Sequence, residues 1–402
     1  MSGIRFIHAA DLHLDSPFVG LKNMPEAILH KMKEAPFLAF RKLVDEAIVR
    51  KVDFILLAGD LYDGENRSLR TQVRFRKEME RLLEHGIHVY IIHGNHDHLG
   101  GKWVEVDLPE NVHVFPGSYD MKRFENGEAS VHIYGYSYPV QHVKQRIIDE
   151  YRRAGEADYH IGMLHGNLEG SSEHGNYAPF SLSDLLAKDM DYWALGHIHK
   201  RTELSSDPPV LYPGNTQGRH RKESGLKGCY YVELNGKEAS TAFIPTSEII
   251  WEETEVTVTG EDSFDSILET CRNKIEGLRH DECGIFLSLS IFHDNRDLSF
   301  DDYSSDLLEL LAEEEDGLDQ FVYPYRAVLV KDAKKMETNL PIVKDILSRD
   351  WDEGDIDETL RPLYRHGTGR KFIDGLPEEE KAALINDAEL LLAELLAVGG
   401  DD

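Results

Sequence analysis

The chain has 402 residues, 41% hydrophobic and 9% aromatic, enough for a buried core and for about two or three domains at roughly 150 residues each. Its formal charge of −30 is uneven, −6 over residues 1–250 and −24 over residues 251–402, which argues against non-specific coating of nucleic acid, because phosphates repel a negative field. No apolar run of about 18 residues suggests a membrane span, and three cysteines (Cys229, Cys271, Cys283) at unrelated spacings fit neither a disulfide framework nor a CxxC metal site, so a reduced, cytoplasmic protein is expected.

The opening MSGIRFIHAADLHLD turns polar after a short apolar stretch and reads as a first strand, IRFIHAA at 4–10, not as a signal peptide. Residues 35–50 predict an amphipathic helix, DFILLAGD (53–60) a strand, residues 68–85 an Arg-rich helix, and HVYIIHG (88–94) another strand. Strand–helix–strand units of this length imply right-handed crossovers and a buried, largely parallel sheet. The pattern then becomes strand-rich through VHVF, SVHIYGY, YHIGMLHG, DYWALGH, VLYPGN, GCYYVEL and TAFIPT. An α/β fold of two packed sheets flanked by helices accommodates residues 1–250. Residues 251–335 alternate strand and helix as a smaller α+β domain. Residues 336–402 read as a helical C-terminal segment, whose last helix carries an apolar stripe of Leu384, Ala388, Leu391, Leu392 and Leu395.

Metal-binding residue types recur where apolar strands end: ADLHLD (Asp11, His13), LAGDLYD (Asp60), HGNHDH (Asn95, His96, Asp97), MLHGN (His165) and ALGHIHK (His197, His199). In an open α/β sheet the carboxyl ends of strands form the ligand crevice, so these segments predict one convergent site. Residues i and i+2 of an extended segment point to one side, so Asp11 with His13 and His197 with His199 can each offer paired ligands. Mixed imidazole and carboxylate donors suit Mn, Fe or Zn better than Ca. A lone histidine at a strand end is more often a hydrogen-bonded core residue, and His8, His85, His88, His98, His113 and His132 are assigned to that background; His93 is left open.

With these motifs in order, joined by YPGNTQGR at 212–219, residues 1–250 resemble the calcineurin-like metallophosphoesterases, and more narrowly the SbcD-like bacterial DNA repair exonucleases; ADLHLDSPF is similar to their YhaO-type subgroup. The resemblance implies a four-layer αββα sandwich of two mixed sheets, followed by a cap domain. It implies two divalent metal ions, Mn2+ first with Fe, Zn or Mg as alternatives, bridged by Asp60. One ion would be held by Asp11, His13 and His199, the other by Asn95, His165 and His197. His96 would act beside the scissile phosphate as a proton donor, oriented by Asp97. DNA is the expected substrate, with a small nucleotide or a phosphorylated substrate as the alternative and a non-catalytic scaffold as a third reading. The arginines of the 68–85 helix and the QGRHRKESGLKG loop, with Arg219, Arg221 and Lys222, are candidate DNA contacts. The resemblance also implies an SbcC-like SMC-family ATPase as partner, docking on the C-terminal helices, and a homodimer.

Overall fold

The computed structural model describes residues 3–331 apart from 15, 17, 20, 22–23, 64–67, 102–103, 105, 170–176, 260–262, 281 and 294–303; beyond 331 it describes only Thr359, Leu384 and Ala388. The expected helical segment 336–402 and its apolar stripe therefore lie outside the described residues, apart from those three helical positions. The described residues divide into two compact units, one formed by Met1–Glu252, Arg279–Phe286 and Glu315–Tyr323, the other beginning with Glu253–Leu278 and Leu287–Glu314.

The larger unit opens with β1 (Ile4–Ala9), α1 (Glu26–Arg50), β2 (Phe54–Ala58), α2 (Leu69–Glu84), β3 (His88–Ile92) and β4 (Val112–Val114). Its strands are apolar on both faces because both faces are covered, with a period of two. Ile4, Phe6, Phe54, Leu56 and Ala58 point into one core, whereas Ile7, Ala9, Ile55 and Leu57 point into another, shared with Phe40 and Leu43 of α1 and Phe75 and Met79 of α2. The chain continues through β5 (Asp120–Glu125), β6 (Ser130–Gly135), β7 (Tyr159–His165), α3 (Leu182–Leu186), β8 (Tyr192–Gly196), β9 (Thr202–Ser206), β10 (Pro209–Tyr212), β11 (Gly228–Asn235) and β12 (Glu238–Pro245).

Two six-stranded mixed sheets result, in the orders β12-β11-β1-β2-β3-β4 and β5-β6-β7-β8-β10-β9. The first core fills the space between them, with Val131, Ile133, Ile161, Met163, Tyr192 and Ala194 supplying the second sheet's side. A third core, including Leu164, Trp193, Leu195 and Leu185 of α3, covers the second sheet's outer face. The layers are therefore helix, sheet, sheet, helix, as expected. His8 links the sheets: its rings' nitrogens meet Tyr192 Oη at 2.9 Å and the Leu195 carbonyl at 3.1 Å, and burial pushes its pKa down to about 3, so the bridge is a neutral imidazole.

Three elements differ from the sequence reading. Helix α1 starts at Glu26, ahead of the expected residue 35, because Pro36 lies inside the helix and resembles a helix start only when read alone. Strands β5 and β9 were not expected; each is an edge strand whose residues are mostly polar and partly exposed. In α2, Ser68 caps the first turn by accepting from Thr71 N at 3.1 Å. The chain then runs through β13 (Ile249–Val258), α4 (Phe264–Leu278), β14 (Gly284–His293), α5 (Ser304–Glu315) and β15 (Val322–Lys331), with the strands in the order β13-β14-β15. In the smaller unit Arg272 of α4 pairs with Glu314 of α5 at 3.0 Å. No helix among the described residues is long and apolar enough to cross a membrane.

Phe54 stacks on Phe6 at 5.1 Å and meets Tyr90 and Phe124 edge-on in the core between the sheets. Phe54→Ala is expected to cost about 3–5 kcal/mol in urea denaturation, since the cavity would lie between two rigid sheets that cannot close over it.

Candidate metal centre

Strands β1, β2 and β3 are parallel neighbours in the first sheet, and β7 and β8 are parallel neighbours in the second. Their carboxyl ends deliver all seven expected ligands, with His96, to one crevice. The connecting backbone is forced to bend there. Asp11, His13, Asp60 and His197 have φ of 53°, 43°, 52° and 98°, four of the seven positive-φ non-glycine residues among the described residues. Such conformations cost about 1–3 kcal/mol each and persist only where the surroundings impose them. Cross-links do so here: the amides of Asp11 and His13 donate to the carbonyls of Gly59 and Asp60 at 3.0 Å each, and the His197 amide donates to both Asp11 carboxylate oxygens at 3.1 Å.

Two clusters share Asp60. In the first, Asp11, His13 and His199 present one ligand atom each within 4.8 Å of one another; Asp60, His165 and His197 form another such group. Asn95 belongs to the second cluster, its Oδ1 lying 3.1 Å from both His165 Nε2 and His197 Nδ1. Asp60 Oδ2 faces both, at 3.3 Å from His165 Nε2 and 3.9 Å from His13 Nε2. Every one of these side chains except His197 and His199 is buried, and those two are half-buried.

Two of these rings, in their neutral form, hold the proton on the side away from the clusters. His165 Nδ1 donates to the Ala58 carbonyl at 2.9 Å, and His199 Nδ1 to Glu223 Oε1 at 2.5 Å, so in each ring, when it is neutral, Nε2 carries the lone pair. His199 Nε2 nevertheless sits 3.1 Å from His13 Nε2, and His165 Nε2 faces two oxygens. A Cβ added at Gly94 would fall between Asp60 Oδ1 and His165 Nε2. Converging side chains of this kind fit a cation, and the donor set suits divalent ions of the Mn, Fe and Zn type.

Electrostatics agree. Burial pushes the Asp11 carboxyl up, and with His199 and His165 opposing it settles at about 6. Burial lowers the His13 pKa to about 3, helped by Arg219. For Asp60 burial opposes ionisation, but His165, His13 and His96 outweigh it and hold the carboxyl well below the usual range. Burial likewise opposes charge on His165, but Asp60 and Asp11 outweigh it and raise the ring to about 9. Without a cation, a proton on His165 offsets the Asp60 charge.

Beside the clusters, His96 is 40% exposed at its side chain, and its Nδ1 lies 2.9 Å from Asp63 Oδ1. This corrects one expectation: Asp97 is not the carboxylate found on His96. Asp97 accepts from the amides of Leu61 at 2.9 Å and Gly94 at 2.7 Å and from His93 Nδ1 at 2.9 Å, so it braces the turn carrying Asn95 and His96. Sequence reasoning also missed Glu223, which holds His199 from the far side. Asp63 was visible as the second aspartate of GDLYD; Glu223, amid QGRHRKESG, looks locally like any solvated glutamate. Burial opposes the charge of Glu223, but hydrogen bonds from His199 and His220 keep its carboxyl well below the usual range.

The basic residues sort differently from expectation. Arg74 pairs with Glu34, Arg76 with Glu80, and Arg81 with Asp45 and Glu78, so these α2 arginines are neutralised by their own fold. Arg219 is only 9% exposed and faces inward, which removes it from the surface contacts. Arg221 and Lys222 are exposed.

A four-layer αββα fold with such a centre at its strand ends is that of a metallophosphoesterase, a hydrolase of phosphoric esters. The chain belongs to the calcineurin-like phosphoesterase family, whose model matches residues 4–201. It is 40% identical over 404 residues to the uncharacterized metallophosphoesterase YhaO of Bacillus subtilis (strain 168), covering 99% of each chain. It is 28% identical over 288 residues to the DNA double-strand break repair protein Mre11 of Methanocaldococcus jannaschii, covering 67% of this chain and 74% of that one. The Mre11 protein of Thermoplasma acidophilum is 26% identical over 250 residues, 56% of this chain and 62% of its own.

Because the His165 pKa is raised to about 9, cation uptake at neutral pH must displace a proton. Titration of the metal-free protein with Mn2+ in two buffers of different ionisation enthalpy should show proton release at pH 7. Apparent affinity should fall by up to about tenfold per pH unit below pH 9. A pH-independent affinity without proton release would contradict this account.

Proposed function

We propose that this protein is a metal-dependent nuclease of DNA repair. Its ligands in this reading are Asp11, His13 and His199 for one ion and Asn95, His165 and His197 for a second, with Asp60 bridging. The observation that carries the proposal is Asp60 Oδ2 facing a ring nitrogen of each cluster. Divalent ions held there, Mn2+ first among them, would neutralise phosphate charge and supply an activated water nucleophile near neutral pH. DNA as substrate is supported by the relatives named for double-strand break repair.

The chain's own part centres on His96. With Nδ1 donating to Asp63, Nε2 is the atom that delivers a proton to the departing oxygen. The hydrogen bond donated to Asp63 raises the His96 pKa against the opposing effect of burial, and the Asp60 charge adds to it, so the acid form persists to higher pH than in an ordinary histidine. General-acid assistance of this kind is worth about 10²–10⁴-fold. Exposed Arg221 and Lys222 are the remaining loop cations for a DNA backbone. A chain of charge −30 offers little further basic surface, which favours an SbcC-like SMC-family ATPase as the partner supplying it, with a homodimer as the assembly. Three free, buried cysteines accord with a reducing cytoplasm.

End-labelled duplex and single-stranded DNA, digested with Mn2+, Mg2+ or chelator, test the proposal. Mn2+-dependent cleavage is expected; hydrolysis of a small nucleotide or phosphomonoester with DNA left intact would refute the DNA assignment. His96→Ala should bind Mn2+ normally and cleave about 10²–10⁴-fold more slowly. Asp63→Asn removes the group that raises the His96 pKa, so the alkaline fall in rate should move to lower pH; an unchanged profile would show that Asp63 does not set the His96 proton.

A further inference from the structure

Arg219 makes an unusual set of connections for a residue in a charged surface loop. Its amide donates to Glu223 Oε2 at 2.7 Å, and its carbonyl accepts from Val19 N at 3.0 Å. Its guanidinium donates through Nη1 to Ser16 Oγ at 2.6 Å. The same guanidinium lies 3.5 Å from Asp63 Oδ2 and 3.9 Å from Glu223 Oε1. These two carboxylates hold His96 Nδ1 and His199 Nδ1. Ser16 and Val19 belong to the loop that follows Asp11 and His13. One cation thus stands between the carboxylate behind the exposed imidazole and the carboxylate behind an imidazole of the first cluster.

We propose that Arg219 is a positioning residue, the shared counter-charge that fixes the Asp63–His96 and Glu223–His199 pairs against each other and clasps the loop of Asp11 and His13 to the loop of Glu223. The arrangement rests on the nuclease reading for its consequence, since it links the aim of the proton donor to that of a proposed metal ligand. Two anionic groups beside one crevice repel each other; a planar guanidinium that is anchored on Ser16 and lies near both offsets the two charges at once. Lysine, a single point of charge on a flexible stem, supplies the charge without the planar geometry.

The test compares wild type with Arg219→Gln, Arg219→Lys and Ser16→Ala. Mn2+ affinity is measured by isothermal titration without substrate. kcat and KM are measured at saturating Mn2+ on duplex DNA and on bis-p-nitrophenyl phosphate, which is too small to reach surface contacts. Arg219→Gln is expected to weaken Mn2+ binding by about 10–100-fold and to lower kcat by a similar factor on both substrates, with KM nearly unchanged. Arg219→Lys should recover part of both losses, and Ser16→Ala should shift both in the same direction by less. A raised KM for DNA with normal kcat on the small diester would instead make Arg219 a DNA contact and overturn the proposal, as would unchanged Mn2+ affinity. If thermal denaturation shows Arg219→Gln to be unfolded, Ser16→Ala decides by the same readouts. Should wild type cleave neither substrate, the nuclease reading fails, while the Mn2+ affinities still decide the role of Arg219.

Discussion

Lone pairs of buried acceptors repel, and the crevice between the two sheets collects them from five strand ends. Asp11, Asp60, Asn95 and four imidazoles meet at common centres, and the outward Nδ1 atoms of two of the rings, His165 and His199, donate to the Ala58 carbonyl and Glu223. In a low-dielectric interior that arrangement is unfavourable unless positive charge enters it. The rest of the site can be understood as what holds the acceptors in place despite their repulsion. Left-handed backbone at Asp11, His13, Asp60 and His197 aims the side chains inward, and cross-loop amide bonds keep the chain from relaxing.

Carboxylates form the next ring outward, and they divide the work. Asp97 braces the turn of Asn95 and His96 through two amides and His93. Glu223 fixes the tautomer of His199, as ring partners of metal-binding histidines characteristically do. Asp63 serves His96, whose side chain is 40% exposed. The acidity of the chain is thus partly functional: some of its negative charge is spent on orienting imidazoles. Arg74, Arg76 and Arg81 of α2, by contrast, pair with nearby acids.

Much of this was legible in the sequence where chemistry and period coincide. Strands β1, β2, β3, β7 and β8 are apolar runs buried on both faces, and each ends abruptly in Asp, His or Asn, so the strands and the convergence of these ends could be read from residues alone, whereas the division into two ligand sets came from the family resemblance. Edge strands β5 and β9 carry polar residues because one side faces water, and no period-two signal survives in them. Pro36 hid the first part of α1. The error over Asp97 has a geometric origin: a neighbour in sequence at a tight turn points elsewhere, and the carboxylate that reaches His96 comes from another strand end. Glu223 and the inward course of Arg219 depend on how two loops meet, which local composition does not encode.

The candidate ligands are contributed by both sheets, three strand ends from one and two from the other. A cation gripped by the proposed set would therefore act as a rivet through the sandwich, present only when the two halves are docked. Ligand binding to the folded state alone adds about 1.4 kcal/mol of stability for every tenfold excess of free ion over its dissociation constant. Scarcity of the ion would then do more than silence the crevice; it would loosen the seam between the sheets and shorten the lifetime of the molecule.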